Sequence, residues 1–313
     1  MKLDERISRK SFLKGSVAMT VAMMLGSATN LVSAAEADAS AQTKADAKSP
    51  EKTAMQYLFD RTPFEPVQVF DNLYYIGSIS VAQFVVRTSK GLIMIDSGWD
   101  EKDADYAAAS MKKLGLDPAS TKYILLTHGH SDHYGGAQFF KDKYSPKARI
   151  AMNIVDSHWD AVIPCEKAFS GVRPKLDMGL DDQQDIVLGD TSVHIVLTPG
   201  HTPGCVSMII PVRDHGEPHK AAIWGGTGTP ANLEMNYLYL SSVDYFARFT
   251  GAGKVDVEMS AHGWVDDTFA RLEQLKKRQP GQPHPFVIGQ QKYREYELTF
   301  RTMAEKAIET YRK

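Results

Sequence analysis

The stretch Thr127-His128-Gly129-His130-Ser131-Asp132-His133 constrains this chain more than any other. It follows the apolar run Tyr123-Ile124-Leu125-Leu126, which reads as a buried strand. Three imidazoles and a carboxylate therefore sit on the loop leaving the strand's C-terminal end. Neutral imidazole and carboxylate are the donors that borderline metals such as zinc prefer. Alternate residues of an extended segment point the same way, so His128 and His130 can approach one ion together. Asp132 and His133, one step on, can turn toward a second. Gly129, Gly135 and Gly136 permit the tight turns that such a loop needs.

One loop cannot close a coordination sphere. Pro199-Gly200-His201-Thr202-Pro203-Gly204 follows the strand-like Val193–Thr198 and places another histidine at a strand end. Ser260-Ala261-His262-Gly263 repeats the pattern after Val255–Met259. The three loops together offer His128, His130 and His201 for one site, and Asp132, His133 and His262 for the other.

This assembly, H-x-H-x-D-H, then G-H-T-P-G, then a late histidine, resembles the metallo-β-lactamase fold superfamily in order, spacing and strand-end placement. The resemblance spans roughly Asn72 to Ala307 and implies a four-layer αββα sandwich of the α/β class. It also implies that Asp96, which ends a strand in Asp96-Ser97-Gly98, is buried beneath the metal loop and supports it. Branches of the superfamily differ at Trp224-Gly225-Gly226-Thr227-Gly228-Thr229-Pro230. Glyoxalase-II-like and lactonase-like members have a bridging aspartate there, and the first lactamase subclass has a cysteine. Gly226 and Thr227 stand at that place here, so the second site falls to Asp132, His133 and His262, as in the third subclass of zinc β-lactamases. The tail Pro283-His284-Pro285-Phe286 and the helix around Tyr293-Arg294-Glu295-Tyr296 resemble that subclass as well.

The chain opens with Ser8-Arg9-Lys10-Ser11-Phe12-Leu13-Lys14, an apolar run to Ala35, and small residues at Val32-Ser33-Ala34-Ala35. This reads as an export signal over residues 1–35. It is similar to a twin-arginine signal, with Lys10 where the second arginine belongs, and the periplasm is the expected destination. The alternative, a membrane anchor, needs about 20 strongly apolar residues, and this run is diluted by Ser16, Thr20, Gly26, Ser27, Thr29 and Asn30. Residues 36–54 hold mostly Ala, Asp, Lys, Ser and Thr and read as a flexible linker, leaving residues 55–313 as one domain. The first 35 residues carry five basic and two acidic side chains, so the net charge of −2 becomes about −5 without them. That charge disfavours nucleic acid as a partner, and a small molecule is the expected substrate.

Leu73–Ile76, Gln83–Arg87, Leu92–Ile95 and Lys122–Leu126 are expected as strands, followed by Ile186–Leu188, Val193–Leu197, Val206–Ile210 and Ala221–Trp224. Tyr106–Leu114, His133–Lys143, Val243–Phe249 and Asp267–Arg278 are expected as helices. Short strands alternating with helices in two similar halves suggest two sheets between helix layers. His158, His194, His215, His219 and His284 lack partners at ligand spacing and are read as non-ligands. Cys205 begins an apolar run and reads as a buried inert thiol in preference to a bridge with Cys165, although an exported chain permits one.

The chemistry implied is hydrolysis with two zinc ions per chain. A water between the ions would have its pKa lowered toward roughly 7, so that hydroxide attacks a polarised carbonyl. Asp132, His128 and His201 are expected to carry the reaction, with Asp132 orienting the nucleophile. Thr227 and Thr229 either donate hydroxyl hydrogen bonds to a substrate carboxylate or serve only the turn. Opening of a β-lactam amide is the favoured reaction, and hydrolysis of another ester, lactone or amide is the alternative. A non-catalytic metal-binding role stands third.

Overall fold

The computed structural model describes residues 52–157 and 172–312. The export segment, nearly all of the linker, His158 and Cys165 lie outside those residues. The first helix, α1 (Ala54–Leu58), is closed by a capping box in which Thr53 and Gln56 each satisfy the other's backbone N–H.

Seven strands form the first sheet in sequential order: β1 (Val67–Phe70), β2 (Leu73–Tyr75), β3 (Phe84–Thr88), β4 (Gly91–Ile95), β5 (Thr121–Leu125), β6 (Arg149–Met152) and β7 (Met178–Gly179). The pairs up to β3–β4 are antiparallel, and those from β4–β5 onward are parallel. Parallel neighbours need crossovers, supplied by α2 (Glu101–Lys113) and by a pair of short helices, α3 (Ser131–Tyr134) and α4 (Ala137–Tyr144). The second sheet has β8 (Asp185–Leu188), β9 (Thr191–Leu197), β10 (Val206–Asp214), β11 (Glu217–Trp224) and β12 (Val257–Ser260), in the order β12-β11-β10-β9-β8. Its one parallel pair, β11–β12, is bridged by the long helix α5 (Leu233–Gly253). Helices α6 (Thr268–Lys277) and α7 (Gln290–Tyr311) complete the chain.

Strand periodicity explains the layers. Leu73 and Tyr75 join one core with Val193, Ile195 and Met208 of the second sheet, whereas Tyr74 and Ile76 join another with Ala104, Ala107, Met111 and Phe140 of α2 and α4. A strand buried on both faces has no polar side to alternate, which accounts for runs such as Leu92–Ile95. Tyr239 and Phe246 of α5, Phe269 of α6 and Tyr296 and Phe300 of α7 pack with the second sheet's residues. The result is a mixed α/β sandwich of two sheets flanked by helices.

Several elements differ from the sequence reading. The single helix expected over His133–Lys143 is two helices broken at Gly135-Gly136. A Cβ on Gly135 would lie 1.9 Å from the Trp99 carbonyl oxygen, so the break is where this segment presses on the Ser97–Trp99 loop. Helix α5 is three times as long as the expected Val243–Phe249, starting where the Asn232 side chain accepts from Met235 N–H. Strands β1, β6 and β7 were not expected.

Candidate metal centre

The candidate ligands leave the C-terminal ends of strands: β5 leads to His128–His133, β9 to His201 and β12 to His262. Asp96 follows β4, Asp156 follows β6, and Gly225–Thr229 follow β11. Open α/β sheets form their crevices beyond the carboxyl ends of strands, and here both sheets contribute to the same one. Main-chain bonds from Val206 N–H to Thr127 O, 2.9 Å, and from Ala82 N–H to Ala261 O, 2.8 Å, join the sheets at its floor.

In the first triad, His128 Nε2 and His201 Nε2 each lie 3.0 Å from His130 Nδ1. In the second, His133 Nε2 lies 3.2 Å from His262 Nε2 and 3.3 Å from Asp132 Oδ2, and His262 Nε2 is 3.6 Å from that oxygen. Zinc–nitrogen bonds of about 2.0–2.1 Å in a tetrahedron place neighbouring donors about 3.3 Å apart. Both triads fit a tetrahedral ion in spacing and donor type. The rings of His128 and His133 sit 4.0 Å apart, which makes the two sites neighbours. The second triad is wholly buried, while His130 and His201 of the first are partly open to solvent.

Four of the five imidazoles are oriented by a bond on the far side, as metal-binding histidines require. His201 Nδ1–H donates to Gly228 O at 2.6 Å, and His262 Nδ1–H to Ser80 O at 2.7 Å. His133 Nδ1–H donates to Asp96 Oδ2 at 2.8 Å. Thr127 Oγ1 lies 3.0 Å from both Asp96 oxygens and 3.0 Å from His128 Nδ1, so it donates to the carboxylate and accepts from the ring. Asp96 also accepts from Thr127 N–H at 2.9 Å. Its backbone is left-handed, φ 54°, a strained conformation that turns the carboxylate under the loop.

Burial pushes His128 and His201 well below the usual imidazole range and His130 down to about 4, leaving neutral nitrogens free to bind a cation. His133 goes the other way. Burial opposes a charge there, but Asp132 and Asp96 on either side raise it to about 10. Burial likewise opposes the Asp132 carboxylate, yet His133 and His262 hold it below the usual carboxyl range. Surroundings that favour a proton on His133 favour a metal cation in the same place.

Thr227 is buried at the end of β11 and Thr229 is half-buried beyond it. Gly226 packs directly on His201: a Cβ there would lie 2.2 Å from the histidine's own Cβ. No side chain fits at position 226, so neither a carboxylate nor a thiol could reach the ions from it. Cys205 is a free, buried thiol whose burial pushes its pKa up, in keeping with an inert role. His194 and His219 pair with Asp185 and Asp256, and His284 stacks on Phe70 and contacts Val69 O. None of the three is near either triad.

Two supporting groups escaped the sequence reading. The carbonyl of Ser80 accepts from both His262 and Trp264 Nε1–H, and the Ser80 hydroxyl accepts from Trp99 Nε1–H and donates to Leu58 O. Nothing in the sequence signals a main-chain acceptor of this kind. Asp156 accepts from Gly129 N–H, Gly204 N–H and the Thr202 hydroxyl. Burial pushes its carboxyl up to about 6, although all three donors favour its charge. Recognition of Ile150-Ala151-Met152 as a strand would have exposed Asp156 as a third strand-end acid, after Asp96 and Asp132.

Residues 77–215 match the family described as the Metallo-beta-lactamase superfamily. FEZ-1 metallo-beta-lactamase from Legionella gormanii superposes with a TM-score of 0.69 at 28% identity, covering 80% of this chain and 98% of that one. BJP-1, a subclass B3 metallo-beta-lactamase of Bradyrhizobium japonicum, gives 0.68 at 26% identity, over 82% and 96%. Glyoxylase B2 of Dictyostelium discoideum is 35% identical over 113 residues, which are 35% of this chain and 37% of that protein, so the chain spans little more than a third of this relative. The matched span carries five of the six triad residues, and the protein carries a metallo-beta-lactamase superfamily domain with two candidate metal sites.

Proposed function

We propose that the protein is an exported, zinc-dependent β-lactamase that holds two ions, one on His128, His130 and His201 and one on Asp132, His133 and His262. The observation that carries this reading is the closure of the second triad without any ligand from the β11 loop. Gly226 leaves no room for a side chain against His201, and among the described residues Asp132, His133 and His262 form a second three-donor group with no member from that loop. The likeness to BJP-1, a subclass B3 metallo-beta-lactamase, over most of both chains supports the same reading. The basic and apolar opening of the chain supports export.

When bound, a pair of zinc ions supplies Lewis acidity and a water acidic enough to act as nucleophile at neutral pH. The chain's own groups do the rest. Asp132 stays ionised at neutral pH, offers one oxygen as a ligand and keeps the other to accept a proton from the attacking water. Gly228 O, Ser80 O, Asp96 and Thr127 hold the four imidazole rings against rotation, so little reorganisation accompanies the reaction. The half-open edge at His130 and His201 admits the substrate. Thr227 and Thr229, on the loop beside His201, can donate to a substrate carboxylate.

The test is turnover by purified, zinc-loaded protein of a penicillin, a cephalosporin and a carbapenem beside a lactone and a simple ester. Hydrolysis of the β-lactams, abolished by chelator and restored by zinc, is the expected result. Turnover of the lactone or ester alone would leave a metallo-hydrolase and remove the lactamase assignment.

A further inference from the structure

The loop after β6 carries a buried acid that the proposed chemistry does not use. Asp156 is 1% exposed, and among the described residues no cation pairs with it. Its Oδ2 accepts from Gly129 N–H at 2.8 Å and from the Thr202 hydroxyl, and its Oδ1 accepts from Gly204 N–H at 2.5 Å. Gly129 lies between the ligands His128 and His130, and Thr202 is next to the ligand His201. One carboxylate thus grips both loops that form the first triad.

We propose that Asp156 is a positioning residue for the His128/His130/His201 site, fixing the separation between His201 and the two histidines of the other sheet. The spacing of His128 and His130 is set locally, because one residue separates them. His201 arrives from the second sheet to within 3.0 Å of His130, and beside the main-chain bond from Val206 to Thr127 it is Asp156 that ties its loop to Gly129. Asp156 is itself held firmly. Its N–H bonds Asn153 O at 3.1 Å, and Asn153 Nδ2 donates to Leu180 O at 2.8 Å. A Cβ on Gly204 would meet Asn153 Oδ1 at 2.7 Å, so the two loops are already in direct contact. Three donors converging on two oxygens call for a carboxylate. An amide in its place would turn its NH2 toward at least one buried N–H or hydroxyl and leave that donor unpaired.

The second triad has other supports. His133 leans on Asp96, and His262 on Ser80 O, and neither support touches Asp156. The role assigned to Asp156 is therefore specific to one site. It rests on the two-ion reading above.

The test measures zinc affinity, by competition with a chromogenic chelator, in two single-site backgrounds. His262→Ala retains the first triad and His201→Ala the second. Asp156→Asn is expected to weaken zinc binding about 10- to 100-fold in the His262→Ala chain and to leave the His201→Ala chain unchanged. Thr202→Val removes one donor and keeps the carboxylate, so it carries the same test should Asp156→Asn fail to fold, with a smaller loss confined to the same background. Equal losses in both backgrounds would make Asp156 a general structural group and overturn the proposal. No loss in either would do the same. A His262→Ala chain that binds no zinc overturns the two-ion reading and this inference with it, whereas tight binding indifferent to Asp156→Asn overturns the inference alone.

Discussion

Replacing Asp96 with asparagine should cripple the second metal site while sparing the fold. The left-handed backbone at residue 96 suits asparagine as well as aspartate, so the change adds no strain there. The carboxylate accepts from Thr127 N–H at 2.9 Å and from His133 Nδ1–H at 2.8 Å, on different oxygens. An amide offers one acceptor and one donor. With its oxygen toward Thr127, its NH2 faces His133, whose proton must then move to Nε2, the atom aimed at Asp132 and His262. A protonated Nε2 cannot bind an ion. With the amide reversed, the buried Thr127 N–H loses its acceptor. Either arrangement costs about 1.5–3 kcal/mol, and at about 1.4 kcal/mol per tenfold this weakens zinc at the second site about 10- to 100-fold. The assay is zinc titration against a competing chelator, in which one of the two binding steps should shift and the other should not. Wild-type and Asp96→Asn titrations that superimpose would refute the tautomer argument.

Three further outcomes are expected. Thr227→Ala should raise KM for a substrate bearing a carboxylate with little change in kcat, through a lost hydrogen bond of about 1–2 kcal/mol; steady-state kinetics showing a fall in kcat alone would assign Thr227 to the turn. Glu297 lies buried beside Thr250, and burial pushes its carboxyl from 4.5 up to about 7 against the Thr250 hydrogen bond. The folded chain therefore holds that proton more tightly than the unfolded chain, and the associated stability is lost as pH rises from about 4.5 to 7, by at most about 3 kcal/mol; melting temperatures between pH 5 and 8 should fall less steeply in Glu297→Gln, and parallel slopes would contradict this. Mass spectrometry of protein from the periplasm should find a mature N-terminus near Ala35–Ala37, and a periplasmic chain retaining Lys2 would count against signal cleavage.

The ligand loops were legible because each follows an apolar strand and announces itself by a change of chemistry, as at Leu126-Thr127-His128. Strand β1 was not, since Val67–Phe70 is four residues long with Gln68 outward and Pro66 before it. Strand β6 opens on the exposed Arg149 and has only Ile150-Ala151-Met152 to mark it, so it was missed, and with it the meaning of Asp156. Tyr237 and Leu238 stand exposed on α5 and blur the period that would mark its true start. The split between α3 and α4 depends on the approach of the Trp99 carbonyl, a contact between segments that no local pattern encodes. Single-residue features of chemistry survive in a sequence, whereas close approaches and main-chain acceptors belong to the folded chain.

The four far-side hydrogen bonds on the imidazoles also divide the centre by its vulnerability to mutation. His128 and His133 depend on the side chains of Thr127 and Asp96, and a single codon change can remove either support. His201 and His262 are held by the carbonyls of Gly228 and Ser80, which every amino acid supplies. Positions 227 and 229 can therefore exchange side chains while the Gly228 carbonyl still anchors His201, whereas Gly226 beside them cannot. On the proposed function, substrate preference can change at those two positions without disturbing the support of His201, so a lineage built on this scaffold is free to explore new substrates before it risks its metal centre.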